Sequence, residues 1–506
     1  MVNATTQGGE ASHESTRRPA GAVVFRALLL AGLAAMAGCT STSLERTYGP
    51  PPTVAGAAAP PPVDSVQARI GAEQHPRIVA SYGGVYHDDK LEQTLARIVG
   101  RAVAASDDPT QSYRITILNS PSINAFALPG GYLYVTRGLL ALANDSSEVA
   151  AVIAHEMGHV TANHAMQRQN KAQEAVLVSR VVSNVLQDDD AGRLALASSQ
   201  RTLAAFSQQQ ELEADSIGVR TIGKAGYDPY AAARFLQQMG RFAAYKSADT
   251  IQDKQPDFLA THPATPQRVE LAIREARQFG APGIGEVDRD RYLSGISGIV
   301  YGDDPSQGFV RGRTFLHPTL GVAFTVPRGF VLDNNADAVL ATGPDGTALR
   351  FDGANLSGGS SLTAYLQSGW VNGLDAASIK TFAVNGLEAA SARAETKGWV
   401  FRIAVIRASD NAAYRFIFAN EADTPGLQGA ADETIKSFRT LSKQEATSLQ
   451  PLRIRLVTVQ AGDTIASMAA RMNGFDRPED LFRILNDIAP DGPLPAVGQK
   501  VKIVSE

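Results

Sequence analysis

His155-Glu-Met-Gly-His159 lies in a run whose flanking residues, Val149, Val152, Ile153 and Val160 among several alanines, leave little polar surface. Such a run is a buried helix, and on a helix residues four apart share a face. Two imidazoles therefore emerge together in the interior, where an unpartnered polar ring is costly. One divalent ion satisfies both, and zinc suits neutral imidazole nitrogen at about 2.0–2.1 Å. Glu156, one step round the helix, reaches a water on that ion rather than the ion. Zinc draws the water's pKa toward about 7, a carboxylate takes its proton as it attacks a carbonyl, and the metal steadies the developing oxyanion. The spacing predicts a helix from Glu148 to about Arg168, with Asp145 or Ser146 as N-cap.

A catalytic zinc needs a third protein ligand and one open position. His164 follows His159 by five residues, which on a continuous helix turns it away, so it is expected to serve structure. Glu211-Leu-Glu-Ala-Asp215, on a second predicted helix from about Leu194 to Lys224, is the better source. Glu211 and Asp215 share a face: one carboxylate can bind zinc while the other hydrogen-bonds a ligand histidine. Glu213 lies off that face and is expected in solvent.

HExxH combined with ExEAD, and with Asn124-Ala-Phe-Ala-Leu-Pro-Gly-Gly-Tyr-Leu-Tyr-Val-Thr-Arg-Gly138, resembles the HtpX / CAAX prenyl endopeptidase family of gluzincins, peptidase family M48, over residues 70 to 280. The resemblance implies one zinc per chain held by His155, His159 and Glu211, with Glu156 as base and Asp215 as supporting acid. It also implies a sheet edge at Asn124, Ala125 and Phe126 beside the cleft, where an extended substrate backbone can pair. Thr261-His-Pro-Ala-Thr-Pro-Gln-Arg268 resembles a further family motif. It implies that His262 approaches the open zinc position and that Arg268 stabilises the oxyanion or a neighbouring carboxylate; the plainer reading has His262 packing the next helix.

Downstream, Phe309 to about Leu441 carries alternating strand-like runs and a closing helix from Ala430 to Phe438. It reads as an α+β domain, weakly similar to the PsbP type. Val457-Thr-Val-Gln-Ala-Gly-Asp-Thr464, Leu481-Phe-Arg-Ile-Leu-Asn486 and Pro495-Ala-Val-Gly-Gln-Lys-Val-Lys-Ile503 resemble a LysM domain, which implies affinity for the N-acetylglucosamine chains of peptidoglycan. The expected fold class is multidomain: a mainly α gluzincin metalloprotease domain with a small β-sheet (67–300), an α+β domain (309–445) and a small LysM-like βααβ domain (452–506).

The N-terminal region speaks to location. Arg17, Arg18 and Arg26 precede an apolar stretch from Ala27 to Ala37, too short to span a bilayer comfortably. Met36-Ala-Gly-Cys39 resembles a lipobox, and Cys39 is the chain's single cysteine. Residues 1–38 are thus expected as a lipoprotein signal peptide, Cys39 as the lipidated residue and 39–66 as a Pro/Ala-rich tether. Thr40 carries no retention signal of the Asp type, so the expected location is the periplasm, lipid-anchored, with the outer membrane favoured. A net charge of −4 without a basic excess disfavours nucleic acid. Expected substrates are unfolded or misassembled envelope proteins. The competing reading is a catalytically latent envelope chaperone held at peptidoglycan; peptidoglycan as the substrate ranks lower, since its zinc hydrolases carry other ligand motifs.

Overall fold

The computed structural model describes residues 66–186, 189–247, 258–472 and 474–506. The signal peptide, Cys39 and the tether, apart from Val66, lie outside them. The described chain divides into two compact units: residues 353–423, and residues 66–352 with 424–506.

The larger unit opens with α1 (Val66–Ser81) and α2 (Asp89–Ala105). Asp88 caps α2 by accepting from Lys90 N and Leu91 N, and Leu91, Leu95, Ile98, Val99 and Ala102 make its buried stripe. A three-stranded sheet follows, β1 (Arg114–Leu118), β2 (Ala125–Leu128) and β3 (Tyr132–Thr136), in the order β1-β3-β2. β1 runs parallel to β3 and β2 antiparallel, so β2 is an edge. Between β2 and β3, Gly131 holds φ at 80°, and a Cβ there would lie 2.1 Å from Ser112 O; only glycine fits.

Helices then take over: α3 (Arg137–Leu142), α4 (Ser146–Thr161), α5 (His164–Leu186), α6 (Asp189–Lys224), α7 (Ala231–Ser247), α8 (Phe258–Thr261), α9 (Pro266–Ala276) and α10 (Arg289–Ile296). From Ser146 to His159 every residue of α4 is buried. Burial of Val149, Val152, Ile153 and Met157 contributes about 1.5–3 kcal/mol each, so this helix anchors the core.

Short strands follow, β4 (Phe309–Arg311), β5 (Thr314–His317), β6 (Val322–Thr325), β7 (Val331–Asn334), β8 (Val339–Thr342) and β9 (Ala348–Asn355). The unit of residues 353–423 holds α11 (Leu362–Leu366) and an antiparallel meander, β10 (Leu374–Val384), β11 (Leu387–Thr396), β12 (Trp399–Ser409) and β13 (Ala412–Asn420). Ala389, Ala392, Ile403, Val405, Phe416 and Phe418 are buried in it. The larger unit resumes with α12 (Pro425–Ser437), longer at its start than expected because Thr424 caps it and Pro425 suits the first turn. β14 (Arg439–Thr440) pairs with β6, and α13 (Lys443–Ser448) follows.

The C-terminal segment is β15 (Arg453–Thr458), α14 (Ile465–Ala469), α15 (Pro478–Leu485) and β16 (Lys500–Ser505), with β15 antiparallel to β16. Thr464 supplies the α14 cap, in a box with Ser467. Its apolar residues, Ile454, Met468, Leu481, Phe482, Leu485, Val501, Ile503 and Val504, belong to the same core cluster as those of α2 and α4. Lys502 crosses that junction. Its Nζ, fully buried, donates to Ala141 O at 2.9 Å, Leu142 O at 2.7 Å and Ala143 O at 2.8 Å. These carbonyls end α3 and have no partner within the helix, and a cation suits that end of the dipole. Gln238 Nε2 adds bonds to Leu142 O and Ile484 O, and Arg241 pairs with Asp487.

Replacing Lys502 with Met keeps the stem and strips three carbonyls of their donor. Urea unfolding is expected to show a loss of about 3 kcal/mol, whereas Lys500→Met on the same strand changes stability by less than about 1 kcal/mol. Equal effects would show that the buried ammonium has no special part in the junction.

Candidate active site

Helix α4 begins where Asp145 Oδ1 accepts from Glu148 N at 2.9 Å. It stops at Thr161, short of the expected Arg168: Asn163 adopts φ 54°, a left-handed turn that asparagine tolerates, and α5 starts afresh at His164. Helix α6 crosses α4 at glycines on both sides. A Cβ on Gly218 would lie 3.1 Å from His155 N, and one on Gly158 would lie 3.3 Å from Ala214 Cα. This close approach brings Glu211 and Asp215 to the histidines.

The rings of His155 and His159 present Nε2 atoms 3.0 Å apart. Glu211 Oε2 is 3.4 Å from His155 Nε2, and Glu211 Oε1 is 3.4 Å from His159 Nε2. His262, at the end of α8, places Nδ1 2.8 Å from Glu211 Oε2 and 3.3 Å from His155 Nε2. Its ring stacks on Phe258 at 4.6 Å between centroids. One ligand atom from each of His155, His159, Glu211 and His262 falls within 4.8 Å of the others, all four residues buried. Three imidazole nitrogens and a carboxylate oxygen make a donor set that zinc accepts. Glu156 Oε1 is buried without a hydrogen-bond partner, its nearest basic atom being His262 Nε2 at 3.6 Å, so it is turned toward the same space. The residues fit a zinc ion.

Behind the ligands, Asp215 Oδ1 is 2.9 Å from His155 Nδ1. Arg268 Nε donates to Asp215 Oδ2 at 2.6 Å and Nη2 to Asp215 Oδ1 at 2.8 Å, while Nη1 is 3.2 Å from Glu211 Oε2. Arg268 reaches them from α9, which Thr265 caps and Pro266 opens. It holds carboxylates rather than facing the open side of the cluster. Burial alone would lower His155, but the Asp215 and Glu211 carboxylates raise it to about 9. Burial and neighbouring His155 push His159 far down. Burial would raise Glu211, yet hydrogen bonds from His155 and His262 hold it well below the usual carboxylate range. Burial raises Glu156, the direction that suits a proton acceptor working near neutrality.

The side chains of the sheet-edge residues are engaged elsewhere. Asn124 is buried and its Nδ2 donates to Tyr82 OH at 3.0 Å; Ala125 is buried. Phe126 stacks on Tyr134 at 4.9 Å between centroids. What β2 offers the site is backbone, and Ala127 N–H already bonds Glu156. His164, expected to turn away, instead lies beneath His159 with Nδ1 2.8 Å from His159 Nδ1. On an unbroken helix five residues amount to about 140° of rotation; the break at Asn163 undoes that. The exposed Glu213 accepts from the other nitrogen of His164.

Residues 89–276 match the model of peptidase family M48. A β-barrel assembly-enhancing protease of Yersinia pestis is 32% identical over 202 residues, 38% of this chain and 40% of that protein. The protein of the same name from Escherichia coli strain K12 is 30% identical over 217 residues, 41% of this chain and 43% of its own length. The mitochondrial metalloendopeptidase OMA1 of Arabidopsis thaliana is 32% identical over 160 residues, 32% of this chain and 31% of that protein. The chain spans less than half the length of these curated relatives.

Asp215→Ala frees the His155 ring and leaves Arg268 half-partnered. Equilibrium dialysis is expected to show zinc affinity 10–100-fold weaker than in the unmodified protein. Unchanged affinity would mean that Asp215 does not orient a ligand.

Proposed function

We propose that the chain is a zinc-dependent metalloendopeptidase hydrolysing misfolded cell-envelope proteins, a reading supported by the match of residues 89–276 to the model of peptidase family M48. The observation that carries this reading is the convergence of four buried donor atoms within 4.8 Å. When bound there, zinc supplies a Lewis acid that acidifies water and polarises the scissile carbonyl. His155, His159 and Glu211 would hold it. Glu156 accepts the proton of the attacking water and passes it to the departing amine. Arg268 and Asp215 keep Glu211 and His155 in place, and the edge of β2, in the stretch marked by Asn124, Ala125 and Phe126, pairs with an extended substrate. Pairing through backbone demands little of the substrate's sequence, which suits unfolded proteins.

His262 is the fourth member of the donor set, and its position favours a restrained resting state. If His262 binds the metal, it would compete with the catalytic water and restrain activity. This same placement supports the second reading, a latent chaperone whose site is held closed.

The envelope assignment rests on the sequence: the signal peptide, lipidation of Cys39, the tether and anchoring in the periplasm, with the outer membrane favoured. Among the described residues no helix is long and apolar enough to cross a membrane. The LysM-like C-terminal segment keeps Ala461, Gly462 and Ala496 to Gln499 exposed, and through that side we place binding to peptidoglycan.

Digestion of casein by the purified protein is expected to stop with chelator and return with zinc. Glu156→Gln should lower it about 10³-fold while zinc is retained; equal rates in the two proteins would end the enzymatic reading in favour of the latent one. His262→Ala should raise casein cleavage, and an unchanged rate removes the restraint. The whole protein should pellet with purified sacculi, and its retention in the supernatant would dispose of the peptidoglycan role.

A further inference from the structure

We propose that His164 and Glu213 are positioning residues that fix the ring and tautomer of His159, through a relay from the metal cluster to the protein surface. The proposal rests on the zinc reading above and extends it to two residues off the ligand set.

His159 turns Nε2 toward His155 and Glu211, so Nε2 is the atom that must keep its lone pair for a metal. In the neutral ring the proton then sits on Nδ1. Nδ1 is 2.8 Å from His164 Nδ1. Two ring nitrogens at that distance share one proton, so His164 Nδ1 must accept and His164 must carry its own proton on Nε2. That nitrogen faces Glu213 Oε2 at 3.3 Å, an acceptor. All three groups thus agree on one proton order: Glu213 accepts from His164 Nε2, and His164 Nδ1 accepts from His159 Nδ1. Reversing either ring would set lone pair against lone pair, or proton against proton.

The placement is built rather than incidental. His164 is completely buried, whereas the Glu213 side chain is 58% exposed. The backbone break at Asn163 carries His164 under His159, and Gln210 Nε2 holds its carbonyl at 3.3 Å. The rings of His159 and His164 meet nearly edge to face at 4.9 Å. The two histidines of the motif are supported differently: a buried carboxylate, Asp215, stands behind His155, and a neutral imidazole stands behind His159. The carboxylate of the second arm is set one ring further out, in water, where its charge is screened.

The test uses the full chain and three variants. His164→Leu removes the acceptor; His164→Asn returns an oxygen near the place of Nδ1; Glu213→Leu leaves His164 without its outer partner. Zinc affinity is read by competition with a chromophoric chelator, and the ligand field by the visible absorption of the cobalt-substituted protein. Far-UV circular dichroism and thermal unfolding of the metal-free proteins report whether each folds. We expect His164→Leu to bind zinc 10–100-fold more weakly with altered cobalt bands. His164→Asn should recover most of both, and Glu213→Leu should fall between. If folded His164→Leu binds zinc as the unmodified chain does, the relay is wrong. If folded His164→Asn is as impaired as Leu, His164 acts through packing and the proposal also fails. Wild-type affinity in Glu213→Leu removes the outer half. Should the unmodified chain itself bind no zinc, the metal reading falls first and the relay with it.

Discussion

The Arg268 guanidinium spans two carboxylates, Asp215 and Glu211, and through Asp215 it reaches the back of the His155 ring. Without that bridge the interior would hold the carboxylates of Glu156, Glu211 and Asp215 beside the imidazoles of His155, His159 and His262 with little to settle their charges. A buried charge is tolerable only when paired and bonded, and Arg268 is itself buried to 3% exposure. Several features of the fold follow from delivering it. The Thr265 cap and Pro266 start α9 at the right place, and Pro263 O takes the remaining guanidinium nitrogen. His262 lies just before the start of α9, so it and Arg268 reach the cluster from one short stretch of chain.

A second constraint is steric. Helices normally pack with axes 8–10 Å apart, and carboxylates on α6 meet imidazoles on α4 only if the two come near the lower end of that range. Gly158 and Gly218 permit it, each with room for hydrogen and little more. The glycine of His155-Glu-Met-Gly-His159 is therefore part of how Glu211 arrives, although it bears no chemistry.

The convergence of His155 with His159, and of Glu211 with Asp215, could be read from the chain because each pair sits four apart on a regular helix, and regular helices fix relative direction. His164 could not be read that way: its direction depends on one left-handed residue, Asn163, and a periodicity argument assumes that no such residue intervenes. Glu213 was legible as exposed but not as an acceptor, since its partner was aimed elsewhere by the same assumption. The βααβ order of the C-terminal segment was visible in its turn and cap residues. That its core is continuous with that of α4 was not, because the contact depends on Lys502 meeting carbonyls some 360 residues earlier, and no local pattern encodes a separation of that size. Similarly, Asn124 and Phe126 were legible as strand but not as residues whose side chains Tyr82 and Tyr134 engage.

The three bonds of the Lys502 ammonium bear on timing. A ribosome emits residues 141–143 long before it emits residue 502, so through most of synthesis the end of α3 has no cation to close it, and the apolar faces of α3 and α7 lack the helix that carries Leu481 and Phe482. The core around the end of α3 is thereby left open while the chain is short. Its closure waits on a distant strand, which makes completion of that core an event of the whole polypeptide rather than of the segment that contains the histidines.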